Sequence, residues 1–141
     1  MKISVFIVFT VGLLSFTACG QKPISDKRTE QKNNKMNMDK LTNDIVKQAF
    51  EAWQKGDSKT FLSLFIAEPK LYDDGNSRDF QKFVKDACGH ERFTTIDKVE
   101  NEGKDIYGNF HTESWGDFRT YFKFHIEDYG KISRLDIGQA N

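Results

Sequence analysis

Residues 38–141 predict an α+β domain, three N-terminal helices packed on a curved, mostly antiparallel sheet. Two changes of rhythm carry this expectation. Apolar side chains recur at helical spacing from Leu41 to Cys88. After Gly89 the period switches to two and holds to Ile137. The connectivity follows from the turns at Asn101–Lys104, Trp115–Asp117 and Asp128–Gly130, which are short enough to join only antiparallel neighbours. A chain of 141 residues suits one domain.

The elements follow in order. Leu41, Ile45, Val46, Ala49, Phe50 and Trp53 place an amphipathic helix over residues ~39–55. Gly56 stops it, and Asp57 caps a short second helix whose apolar side is Phe61, Leu62, Leu64 and Phe65. Pro69 ends that helix, and Lys70–Asp73 forms a brief strand before the turn Asp74-Gly75-Asn76. Ser77 is a cap for the third helix, where Phe80, Phe83, Val84, Ala87 and Cys88 fall on one face. Phe93–Glu100, Asp105–Glu113, Phe118–Glu127 and Lys131–Ile137 read as four strands.

Because the turns are short, a register can be assigned. Pairing Ser114 with Phe118 sets Ile106 against Ile126, Phe110 against Phe122 and His111 against Tyr121. Pairing Glu102 with Gly103 sets Val99 against Ile106 and Asp97 against Gly108. If Ile126 pairs with Ile132, the last strand adds Arg134 and Asp136 to the inner face, leaving Ile96, Tyr107, Tyr121, Leu135 and Ile137 outside. That half-apolar outer face suits a homodimer or another protein partner.

The first 37 residues are of another kind. Lys2 precedes an apolar run of 14 residues, ISVFIVFTVGLLSF. The run is shorter than the ~20 residues of a membrane-spanning helix and has the layout of an export signal. LLSFTACG resembles the lipobox of bacterial lipoproteins, with Phe16 where leucine is usual. The resemblance implies a signal peptide over residues 1–18 and lipidation of Cys19. The protein is then held at the cell envelope, and Gly20, in place of an inner-membrane-retaining aspartate, allows the outer membrane. With Cys19 lipidated, Cys88 has no disulfide partner and reads as a small buried hydrophobe. Residues 19–37 read as the lipidated cysteine and a polar tether of roughly 25 Å root-mean-square span.

Charge excludes a class of partner. Lys plus Arg equals Asp plus Glu at 21 each, but residues 20–37 carry +3 and residues 38–141 carry −4. A mildly acidic domain without a basic stripe is a poor nucleic-acid binder. The three histidines and two cysteines lack metal-site spacing, so no metal and no cofactor is expected. Thirteen phenylalanines allow a bulky core or an aromatic-lined pocket.

GDSKTFLSLF after the first helix, the third helix, and the terminal DYGKISRLDIG together resemble the NTF2-like, SnoaL-like superfamily of cystatin-like cones over residues ~40–139. The resemblance implies helices covering the concave sheet face around a pocket. On the register above, Asp97, Phe110, Phe122, Arg134 and Asp136 line it, with Asp73 at the rim. The same residues allow a plainer arrangement, in which Arg134 pairs with Asp136 or Asp97, or Leu135 and Ile137 face inward. Gly56–Gly75 is also similar to a segment of ketosteroid isomerases, which places Asp73 on the general-base aspartate. The partner tyrosine of that chemistry corresponds to Ala49, which cannot donate to an oxyanion. The expectation is therefore a lipid-anchored, non-catalytic protein binding a small hydrophobic ligand or a protein. The alternatives are an enzyme (isomerase, cyclase or hydrolase) using Asp73 or Asp136, and an immunity-type interaction protein using the outer sheet face.

Overall fold

The computed structural model describes residues 36–141, so the expected signal peptide, Cys19 and the expected tether up to residue 35 lie outside the described residues. Three helices, α1 (Asp44–Lys55), α2 (Ser58–Ser63) and α3 (Phe80–Ala87), pack on an open sheet of seven strands. The strands are β1 (Phe65–Asp73), β2 (Asn76–Arg78), β3 (Arg92–Phe93), β4 (Lys98–Glu100), β5 (Asp105–Thr112), β6 (Gly116–Ile126) and β7 (Ile132–Gln139). Their order is β2-β1-β7-β6-β5-β3, with β4 also on β5, and every pairing is antiparallel except β1 with β7. The α+β expectation holds, but the helices are not a block: β1 and β2 stand between α2 and α3.

The caps explain the helix bounds. Asn43 accepts from the amides of Ile45 and Val46 and so starts α1 later than expected, after a 3₁₀ turn at Met38–Lys40. Gly56 ends α1 in the left-handed conformation (φ 72°), and its Cα face lies against Gly89, so any side chain there would meet backbone. Asp57 caps α2 through the Thr60 amide. Asp79, not Ser77, caps α3; Ser77 lies instead in β2, paired with Tyr72. β1 is longer than the Lys70–Asp73 strand expected, and the irregularity in its ladder with β7 falls between Phe65 and Lys70, the interval that holds Pro69.

The core is aromatic. Trp53 of α1 stacks on Phe83 of α3 (centroids 5.3 Å) and meets Phe122 of β6 edge-on (5.4 Å). Each such contact adds about 0.5–1.5 kcal/mol beyond the area it buries. Trp53 Nε1 is the single buried side-chain polar atom without a partner among the described residues. Gln54 of α1 donates to the Phe93 carbonyl and accepts from its amide, tying the helix to the short β3.

Three parts of the expected register are corrected. Val99 does pair with Ile106, but β5 and β6 pair with Phe110 against Phe118 and Ile106 against Phe122, four residues from the expected alignment. The loop is as long as expected but lies two residues earlier: Thr112 Oγ1 accepts from the Trp115 amide at 2.8 Å, and Thr112 pairs with Gly116. An even shift keeps every side chain on its face, so Ile106, Phe110, Thr112, Thr120, Phe122 and Phe124 are buried as expected.

The expected strand over Phe93–Glu100 is instead two pieces. Between them the backbone crosses β5 so closely that a Cβ on Gly108 would lie 2.0 Å from the Thr95 carbonyl oxygen. Lys40 Nζ holds the crossing through the carbonyls of Ile96 and Asp97, and Ile96 is buried rather than outside.

In β7, Ile126 pairs with Ile132 as expected, but a bulge between His125 and Ile126 then sets Leu135 against Phe124 and Ile137 against Phe122. Leu135 and Ile137 therefore face the core, and Arg134 and Asp136 take the outer face.

Candidate functional site

A cavity of about 490 Å³ opens between α3, the β1–β2 hairpin and the concave face of the sheet. The sheet contributes Phe110, Phe118, Phe122 and Ile137, and α3 contributes Phe83. Period-two alternation delivers the sheet residues to one face, and the helical repeat turns Phe83 toward them. Trp115, in the β5–β6 loop, lies at the mouth and is 82% exposed.

Of the residues the sequence nominated, Asp73, Phe110 and Phe122 line this cavity. Asp73 forms an ion pair with Arg78 across the β1–β2 hairpin. Its neighbour Asp74 is more than a turn residue. Its amide donates to the Ile137 carbonyl, and its Oδ1 accepts from the Gln139 amide, so it binds the end of β7. Gly138 makes this fit, since a Cβ there would meet Asp74 Oδ1 at 2.2 Å and the Tyr121 hydroxyl at 2.5 Å.

Asp97, Arg134 and Asp136 do not line the cavity. Asp97 accepts from Thr95 Oγ1 (2.8 Å) and pairs with Arg119 (3.3 Å) beside the strand crossing. Asp136 accepts from Arg134 Nε (2.7 Å) and contacts His125 Nε2 (2.8 Å) on the outer face. Burial works against its charge, yet the hydrogen bonds from Arg134 and His125 hold its carboxyl below the usual range. The Arg134 guanidinium in turn lies 4.3 Å from the Tyr72 ring centre. This is the ion-pair arrangement that the same residues allowed from sequence.

Sequence reading missed Glu91. It follows the turn after α3 and lines the cavity half-buried. Burial pushes its carboxyl up from the usual range; Arg78 draws it back and Asp73 adds to the rise. No periodicity marks a residue in such a connection, and its burial depends on α3 and the β1–β2 hairpin closing over it. Ala49, at the position matching an isomerase tyrosine, is fully buried beside Val46 and Phe50.

No family model and no curated protein matches the sequence. The fold does match solved structures. An NTF2-like protein of unknown function from Cytophaga hutchinsonii superposes with a TM-score of 0.56 at 13% identity, over 74% of this chain and 91% of that one. An uncharacterized bacterial protein with a cystatin-like fold from Silicibacter pomeroyi gives 0.52 at 15% identity, over 72% and 77%. The orange carotenoid protein of Anabaena (Nostoc), in a structure binding canthaxanthin, gives 0.52 at 16% identity, over 69% of this chain and 35% of that one. The chain has the NTF2-like, cystatin-like fold.

Proposed function

We propose that this is a lipid-anchored cell-envelope protein whose NTF2-like domain holds a small, largely hydrophobic ligand in the cavity without transforming it. The observation that carries the reading is the cavity itself: about 490 Å³, walled by phenylalanines and bounded by charged side chains from the β1–β2 hairpin and α3. Small-molecule sites have that size, and aromatic side chains are common in their walls. The carotenoid-binding neighbour matches this fold over 35% of its own length. A non-catalytic role is supported by Asp73, whose carboxylate is engaged by Arg78, and by Ala49, which supplies no donor. The anchor at Cys19 rests on the lipobox resemblance. Native mass spectrometry of the gently purified chain, followed by a panel of lipophilic fluorophores, tests the reading. A co-purifying small molecule, or saturable binding of a fluorophore displaced by it, is expected. A chain that carries nothing and binds nothing in the panel contradicts it.

A second reading, an enzyme acting on a hydrophobic carbonyl substrate with a cavity carboxylate as acid or base, is favoured by one observation. Glu91 is desolvated in the cavity, the environment that brings a carboxyl toward neutral-pH proton transfer. In that reading Glu91 takes the role that Asp73 or Asp136 was expected to hold.

A further inference from the structure

We propose that the cavity selects a cationic ligand, an apolar ring compound bearing one amine, with its charge at Glu91 and its ring against the aromatic wall. The inference rests on the ligand-binding reading and names the chemistry of the ligand.

Charge is the first argument. The ionisable side chains lining the cavity comprise five acids (Asp73, Asp74, Asp79, Asp86 and Glu91) and two bases (Arg78 and Lys82), a net charge of −3. A cleft lined mainly by one sign of charge draws in the opposite sign.

The second argument is which of these groups are free. Arg78 is bound to Asp73, and Lys82 to Asp86. Asp79 accepts from the Lys82 amide, and Asp74 from the Gln139 amide. Both bases already face a carboxylate, so an incoming anion would compete with Asp73 and Asp86 for them. Among the described residues the Glu91 carboxylate alone of the seven has no hydrogen bond and no ion pair, although it is half-buried. A carboxylate partly withdrawn from water, with Arg78 acting on it only through space and no direct ion pair, is unfavourable, and an ammonium arriving beside it offsets that cost.

The wall supplies the third argument. Phe110, Phe118 and Phe122 sit close enough to interact as a cluster, with centroids 5.6 and 6.0 Å from Phe110 to the other two. Trp115 stands at the mouth with its indole in solvent. Aromatic faces attract cations, indole most strongly, so the wall favours an amine over a neutral molecule of the same shape. A bound ligand would also cover the exposed indole.

The test uses three compounds that share one ring system: 1-naphthylmethylamine, protonated at pH 7, 1-naphthylmethanol, and 1-naphthoate. Each is titrated calorimetrically into the full chain. The amine is expected to bind about tenfold more tightly than the alcohol, the scale of one ion pair with a cation–π contact, and the acid more weakly than the alcohol. Glu91→Gln should bring the amine within about twofold of the alcohol; Glu91→Ala provides the same comparison if the glutamine variant folds poorly. Wild-type protein that binds the alcohol or the acid as tightly as the amine overturns the cation proposal and leaves the hydrophobic-ligand reading standing. A preference for the amine that survives both substitutions removes Glu91 from it. If none of the three binds, both the proposal and the reading beneath it fall.

Discussion

Three acids around one cavity have three different roles, set by what each touches. Asp73 is balanced by Arg78, Asp74 secures the end of β7, and Glu91 is half-buried with no hydrogen bond or ion pair among the described residues. Glu91 therefore has a calculable effect on stability. Burial raises its carboxyl in the folded chain, so the folded state holds that proton more tightly than the unfolded chain does. Its contribution is intact below the unfolded value, about pH 4.3, and declines as pH rises through the folded value. Glu91→Gln cannot ionise and is expected to melt at a higher temperature than the parent at pH 7, the gap closing as pH falls toward 4. Paired thermal scans measure it, and a variant less stable than the parent at pH 7 contradicts the account. Residues retained at a cost in stability are characteristic of binding and catalytic sites.

The strands separate what a pattern specifies from what it leaves open. Alternation assigned the faces of β5 and β6 correctly, because faces depend only on parity. It did not assign their register, which turned on one hydroxyl, Thr112 Oγ1, closing the loop early. β7 departed further: a one-residue bulge near His125 exchanged its faces, taking Arg134 and Asp136 out of the interior and bringing Leu135 and Ile137 in. A bulge is an agreement between two strands and leaves no mark in either sequence alone.

The crossing over Gly108 is a third such case. Gly108→Ala would force the Thr95 carbonyl away and disturb the crossing that Lys40 holds. We expect a loss of about 3 kcal/mol, the upper part of the range for overpacked positions, read as a lower urea midpoint at unchanged slope. A variant within about 0.5 kcal/mol of the parent, the scatter of neutral surface changes, would mean that the crossing yields freely.

Over the whole molecule, the chain divides by chemistry. Residues 20–37, which follow the lipobox-like segment, carry +3, and residues 38–141 carry −4. If Cys19 bears lipid, Cys19→Ala should move the protein from the membrane pellet to the soluble fraction after ultracentrifugation. A variant that still sediments with membranes removes the lipid anchor from the proposed function. The cavity belongs to this scale too, because α3, the hairpin, the sheet and the β5–β6 loop each supply part of it.

By itself the sequence determined the α+β class, the helix caps at Gly56 and Asp57, and the period-two faces of β5 and β6, with Phe110 and Phe122 on the inner side. Each of these depends on neighbours a few positions away, where spacing and capping chemistry act. Only the tertiary structure decided the hairpin register, the exchange of faces in β7, the Arg78 partner of Asp73 and the isolation of Glu91. Those depend on groups brought together from distant parts of the chain, where one bulge or hydroxyl can decide between arrangements that the local pattern satisfies equally well.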